Sequence, residues 1–195
     1  MSNVLEDLLS QLDPATVGQI ANQLGVDEGT AQNGIQAALP LLIGGLARNT
    51  QTDDGAQALS TALENDHQGD VLSDLMGAVS GYQNGPGGAI LGHIFGGQQQ
   101  GIGAAVGQAM GTNSGNGAAL LQMLAPIVLG YLGQRQQNQG LNAGDLAGLL
   151  GGQTQQMEQQ GSGNLMGTLS QLLDGNHDGS PIDDIIGMAG RFLKR

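Results

Sequence analysis

Near one end of the chain, Asp174-Gly175-Asn176-His177-Asp178-Gly179-Ser180-Pro181-Ile182-Asp183-Asp184 sets oxygen-bearing side chains at alternate positions ahead of a glycine. A hard cation such as calcium takes six to eight oxygen ligands, and this spacing lets three side chains converge while glycine turns the backbone and the next carbonyl adds a ligand. Asp174, Asn176 and Asp178 are the expected side-chain ligands, Ser180 a backbone ligand, and Asp183 or Asp184 the closing carboxylate. The first six positions fit an EF-hand loop. The twelfth, where such a loop places a bidentate Glu, is Ile185. Another reading of the same residues is a helix start, with Ser180 as cap, Pro181 in the first turn and Asp183 near the positive end of the dipole. Both readings can hold together, and His177 is expected to point to solvent.

Other chemistry finds little footing. The chain has no cysteine, which excludes thiolate catalysis, disulfides and cysteine zinc sites. His67, His93 and His177 lie far apart in sequence, and His93, inside the apolar run Ile90 to Phe95, reads as a core histidine. Asp53-Asp54 and Asp183-Asp184 fall on expected turns or helix starts, where acids are common without catalysis. Gly101-Ile102-Gly103-Ala104-Ala105-Val106-Gly107 has the glycines of a dinucleotide loop but no preceding strand. Gly103, Gly107 and Gly111 form instead a glycine-every-four ridge suited to close helix contact. Residues 20–35 have the cadence of a helix-turn-helix, yet the second helix opens on Asp27 and Glu28 and carries no Lys or Arg. Phosphate neutralisation requires such cations, so a core-packing hairpin is the preferred reading and nucleic-acid binding the alternative.

The elements that would position these residues are helical. Of 195 residues 36 are Gly, with two Phe, two Tyr and no Trp, so the core must come from Leu, Ile, Val, Ala and Met. No alternating β-branched run is present. Val17 to Leu46 and Gly103 to Leu132 align without a gap, Pro40 and Pro126 standing 86 residues apart. The expectation is an all-α chain of two short-helix repeats, residues 1–83 and 84–150, joined at Asn84-Gly85-Pro86-Gly87-Gly88. A Gly/Gln linker at 151–163 and a small C-terminal helix-loop-helix at 164–195 follow. Pro40 leaves two options for residues 39–47, a kinked continuation or a new helix.

Net charge is -12, which repels phosphate and anionic lipid. From Leu75 to Gly144 the only formal charge is Arg135. With little like-charge repulsion, a homo-oligomer is one expectation; a partly disordered Gly/Gln-rich segment kept soluble by its amides is the other. The apolar run Ala118 to Leu132 is shorter than the roughly 20 residues of a membrane span. Together with an opening that lacks signal-peptide features, this makes cytoplasmic residence the expected default.

Gln23-Leu24-Gly25-Val26-Asp27 leading to Ala38-Leu39-Pro40, with the Gly-rich centre, resembles the YidB-like proteins and the related bacterial domain of unknown function nine-three-seven. The resemblance spans roughly residues 1 to 155. It implies a helical fold and supplies no catalytic residues; an acidic Asp-Gly loop closing the chain is similar to that of some members. The functional expectation is a non-enzymatic helical structural or interaction protein that self-associates and binds calcium through its C-terminal loop.

Overall fold

The computed structural model describes residues 4–66 and 70–159, nearly all of them within one compact unit, Met1–Gln155. Among the described residues there is helix and turn and no strand. The chain opens with α1 (Val4–Gln11), α2 (Pro14–Leu24) and α3 (Glu28–Asn49). Asp13 accepts a hydrogen bond from the Thr16 N–H at 2.7 Å and Pro14 fills the first turn of α2, where its missing N–H is no loss. Gly25 then adopts the left-handed conformation, φ +66, and Asp27 caps α3 through the Thr30 N–H at 2.9 Å. Both caps follow from a short acceptor side chain placed before a helix start.

After α4 (Asp53–Asp66) come two short pieces, α5 (Asp70–Ser73) and α6 (Leu75–Ser80). The break is local chemistry: the Asp74 carboxylate accepts from the Gly77 N–H at 2.8 Å and so starts a new helix. A 3-10 turn at Tyr82–Asn84 leads to α7 (Gly87–Phe95), and a second at Gly96–Gln98 leads to α8 (Gln99–Ala109). The glycine-rich breaker does more than turn the chain. Gly87 is buried, and a Cβ there would collide with the Gln122 backbone carbonyl.

α9 (Ser114–Gln139) is the central helix, with α2 to α8 all packed on it. Asn113 caps it through the Asn116 N–H at 3.0 Å, after Gly111 has turned the chain at φ +68. Every residue from Met123 to Gly133 is buried, so this helix is apolar on all sides, as a core helix must be. Pro40 and Pro126 both lie inside continuous helices, which settles residues 39–47 as a continuation of α3. A Pro in a helix interior costs about 3 kcal/mol, and here it is surrounded by fully buried Leu39, Leu42 and Ile43 in α3 and Leu124, Ala125 and Ile127 in α9.

α10 (Ala143–Gln159) runs through residues 151–159, where the Gly and Gln content predicts the start of a linker. Gln153 explains part of the difference. It is buried, and its Oε1 accepts from the Val4 N–H at 2.9 Å, so an amide in a low-complexity run satisfies one of the orphan N–H groups at the start of α1.

Candidate functional site

The residues that α1 and α9 bring together form the most organised polar cluster among those described. Tyr131 and Arg135 sit one turn apart on α9, on the same face, and Asp7 reaches them from α1. The Tyr131 hydroxyl donates to Asp7 Oδ2 at 2.8 Å. Arg135 Nη1 donates to Tyr131 Oη at 2.7 Å and lies 3.4 Å from Asp7 Oδ2. The guanidinium carbon stands 6.0 Å from the centre of the Tyr131 ring, at the outer limit of a cation–π contact. Burial first, and then the bond to Asp7, push the Tyr131 phenol above its usual value, against the opposing influence of Arg135. The phenol therefore keeps its proton at neutral pH and acts as the donor that orients Asp7.

Exposure sets the energetic scale. The Arg135 side chain is 14% exposed and that of Asp7 40%, so the ion pair is partly solvated and contributes about 1 kcal/mol at most. Arg135 Nε is buried and has no acceptor among the described residues. Beside the cluster lies a cavity of about 160 Å³ lined by Asp7, Tyr131, Gln134, Arg135, Asn138 and Gln139. That is smaller than the roughly 300 Å³ at which ordinary ligand pockets begin. What the arrangement does visibly is fasten α1 to the second half of the unit. A second buried link has the same character: Gln136 Nε2 donates to Ser60 Oγ at 2.8 Å and to Glu64 Oε1 at 3.2 Å, tying α4 to α9.

The acidic loop residues Asp174, Asn176, Asp178, Ser180, Asp183 and Asp184 lie outside the described residues, as do His67 and His177. Among the described residues no group of three His, Cys, Asp or Glu side chains converges as a metal site would require. His93 is not a core histidine. It is exposed, because α7 turns Ile90 and Leu91 inward and places His93 on the other face. Its backbone carbonyl and that of Ile94 accept from Asn49 Nδ2 at 3.3 and 3.2 Å.

The glycine ridge divides. Gly103 and Gly107 make the close contact expected of them, within the chain itself: a Cβ on Gly117 of α9 would strike the Gly103 carbonyl and the Gly107 N–H. Gly111 serves the turn instead. In the helix-turn-helix-like hairpin, Ala31, Gly34 and Ile35 are buried while Glu28, Gly29, Gln32, Asn33 and Gln36 are exposed. That outer face carries no Lys or Arg. Its inner face meets the second half, a Cβ on Gly34 lying 2.6 Å from Leu120 Cδ2 and 2.7 Å from Met110 Cγ.

By length and composition α9 could cross a membrane, but 72% of its apolar window is buried inside the molecule, as in a core helix. Spacing along the chain shows only half of the Asp7–Tyr131–Arg135 cluster. Tyr131 and Arg135 stand at helical spacing, with Arg135 the single charge of its segment. Asp7, 124 positions away, carries no local mark of the partnership.

No curated protein and no solved structure gives a significant match to the chain. A family model does, that of a bacterial protein of unknown function, DUF937, over residues 6–135. Of the two names the sequence resembles, the match carries the second. Its span runs from α1 to the Arg135 end of the Asp7–Tyr131–Arg135 cluster, over most of the helical unit, and the chain belongs to the DUF937 family.

Proposed function

We propose that this protein is a non-enzymatic helical scaffold that self-associates through its second half and binds calcium in its C-terminal loop. One observation carries the first part. Residues 75–144 contain a single formal charge, Arg135, and that side chain is 14% exposed and paired with Asp7. The surface that residues 84–144 contribute is thus largely amides, small side chains and glycine, with Gln98, Gln100, Ala104, Gln108, Asn113, Gln137 and Asn138 all exposed. Such a surface offers little electrostatic resistance to a second copy, even though the whole chain carries -12.

Two copies of one unit are the economical account of the scaffold. Gly25 and Gly111 are both left-handed turn glycines, Asp27 and Asn113 both cap the following helix at its third N–H, and α3 and α9 both run through a proline. Each of these pairs is 86 residues apart in the sequence. Duplication followed by loss of charge in one copy leaves the acidic copy to water and the neutral copy to a partner.

The calcium reading rests on the spacing of Asp174, Asn176 and Asp178 ahead of Gly179, with Ser180 and Asp183 or Asp184 completing the oxygen set. Thermal unfolding with millimolar calcium against chelator tests it: a raised Tm supports the site, and identical curves remove it. Sedimentation velocity over a concentration series tests association. A sedimentation coefficient that rises with concentration supports it, and a constant monomer value rejects it.

A further inference from the structure

α1 is eight residues long, shorter than the roughly 12–15 at which isolated helices become marginally stable. Its order comes from what it packs on. Val4, Leu8 and Leu12 are 1%, 0% and 7% exposed, and its polar anchors lie far along the chain. Asp7 meets Tyr131 and Arg135 on α9, and the Val4 N–H meets Gln153 on α10, at separations of 124, 128 and 149 residues. Between α1 and α2 stand only Leu12 and Asp13, the latter extended at φ -65, ψ 164. α1 is thus a short arm, on a two-residue joint, seated on the charge-poor half of the molecule.

We propose that the seat formed by α9 and α10 also accepts α1 of a second copy, so that two chains associate by exchanging this helix. The proposal rests on the self-association reading above and names its partner and contact. Exchange is nearly neutral in contacts, because every anchor lost within one chain is remade between chains. Only the torsions of the joint must change. Closure on the same chain competes with an effective concentration on the order of millimolar for a short link, so exchange grows as protein concentration approaches that range. The occupant follows from the seat: its Tyr131–Arg135 pair already holds Asp7 and its Gln153 already accepts from the Val4 N–H.

The cysteine-free chain allows a direct test. Ser10 on α1 is exposed, and Asn138 lines the same cavity as Asp7. Full-length S10C and N138C chains are mixed, unfolded, refolded together at high concentration and treated with a short bismaleimide, with light scattering in parallel. Exchange gives a covalent S10C–N138C heterodimer, absent when the two are folded separately and mixed dilute. Insertion of Gly-Ser-Gly between Leu12 and Asp13 frees the arm to close on its own chain and lowers the dimer fraction several-fold. Dimers without the cross-link, or dimers indifferent to the insertion, overturn exchange and leave self-association standing. Monomer at every concentration overturns both.

Discussion

Gly117→Ala probes the close approach of α8 and α9, which is where the glycine content has its most direct structural use. A methyl at this position would enter the space of the Gly103 carbonyl oxygen and the Gly107 nitrogen, with Gly107 Cα only 3.0 Å away. These are backbone atoms of a neighbouring helix, so no rotamer change relieves the contact and α8 must move. Overpacking of this kind costs about 1–3 kcal/mol, and the Gly-to-Ala gain in helix propensity returns about 0.5–1 kcal/mol. Because rigid backbone meets the methyl from two sides, the upper part of the range applies, for a net loss of about 1–2 kcal/mol. At about 2–4 °C per kcal/mol for a chain of this size, Tm falls by several degrees. Gly148→Ala is the internal comparison, since a Cβ there meets nothing within 4 Å and should gain about 0.5–1 kcal/mol from propensity alone. Urea unfolding of the two variants beside the parent gives the difference. A Gly117→Ala protein as stable as the parent would refute the close-approach reasoning.

Three further outcomes are expected. Asn113→Ala removes the side-chain acceptor at the start of α9 and should lower stability by about 1 kcal/mol, read by urea midpoint at unchanged slope; no change would mean the cap is replaceable by water. Tyr131→Phe removes the phenol that donates to Asp7 and accepts from Arg135, leaving those two the 3.4 Å contact between them, a loss of about 1–2 kcal/mol, and amide exchange should quicken first in α1; uniform quickening would contradict a local latch. Asp13 and Asp27 have carboxyls held below the ordinary 3.8, Asp13 chiefly by the Thr16 N–H and Asp27 chiefly by the Thr30 hydroxyl. Their folded-state values lie below their unfolded ones, so their stabilisation is complete above about pH 4 and is lost as pH falls through the lowered values. In an acid titration of stability, Asp13→Asn and Asp27→Asn should flatten that region; an unchanged slope would refute the cap assignment.

Much of the scaffold was legible because its signals are local. Asp13-Pro14 and Gly25 with Asp27 mark helix boundaries by backbone chemistry that needs no tertiary partner, whereas Gly111, placed by its spacing on a glycine ridge, serves a left-handed turn. The expectations that changed all depended on a distant partner or a competing cap. Residues 151–159 read as a linker from their Gly and Gln content, but Gln153 is held by Val4. His93 sits in an apolar run, yet which face of α7 turns inward is decided by the neighbouring helices. The Asp7–Tyr131–Arg135 cluster joins residues from opposite ends of the unit, and no spacing rule reaches that far.

The central claim is that the neutral second half is the association surface, and charge placed on it tests this most directly. Gln100, Gln108 and Gln137 are exposed, and replacing all three with Glu adds like charge without touching the core. Light scattering over a concentration series should show the parent growing in mass and the triple variant remaining a monomer. A parent that is monomeric throughout, or a variant that assembles as the parent does, would contradict the account.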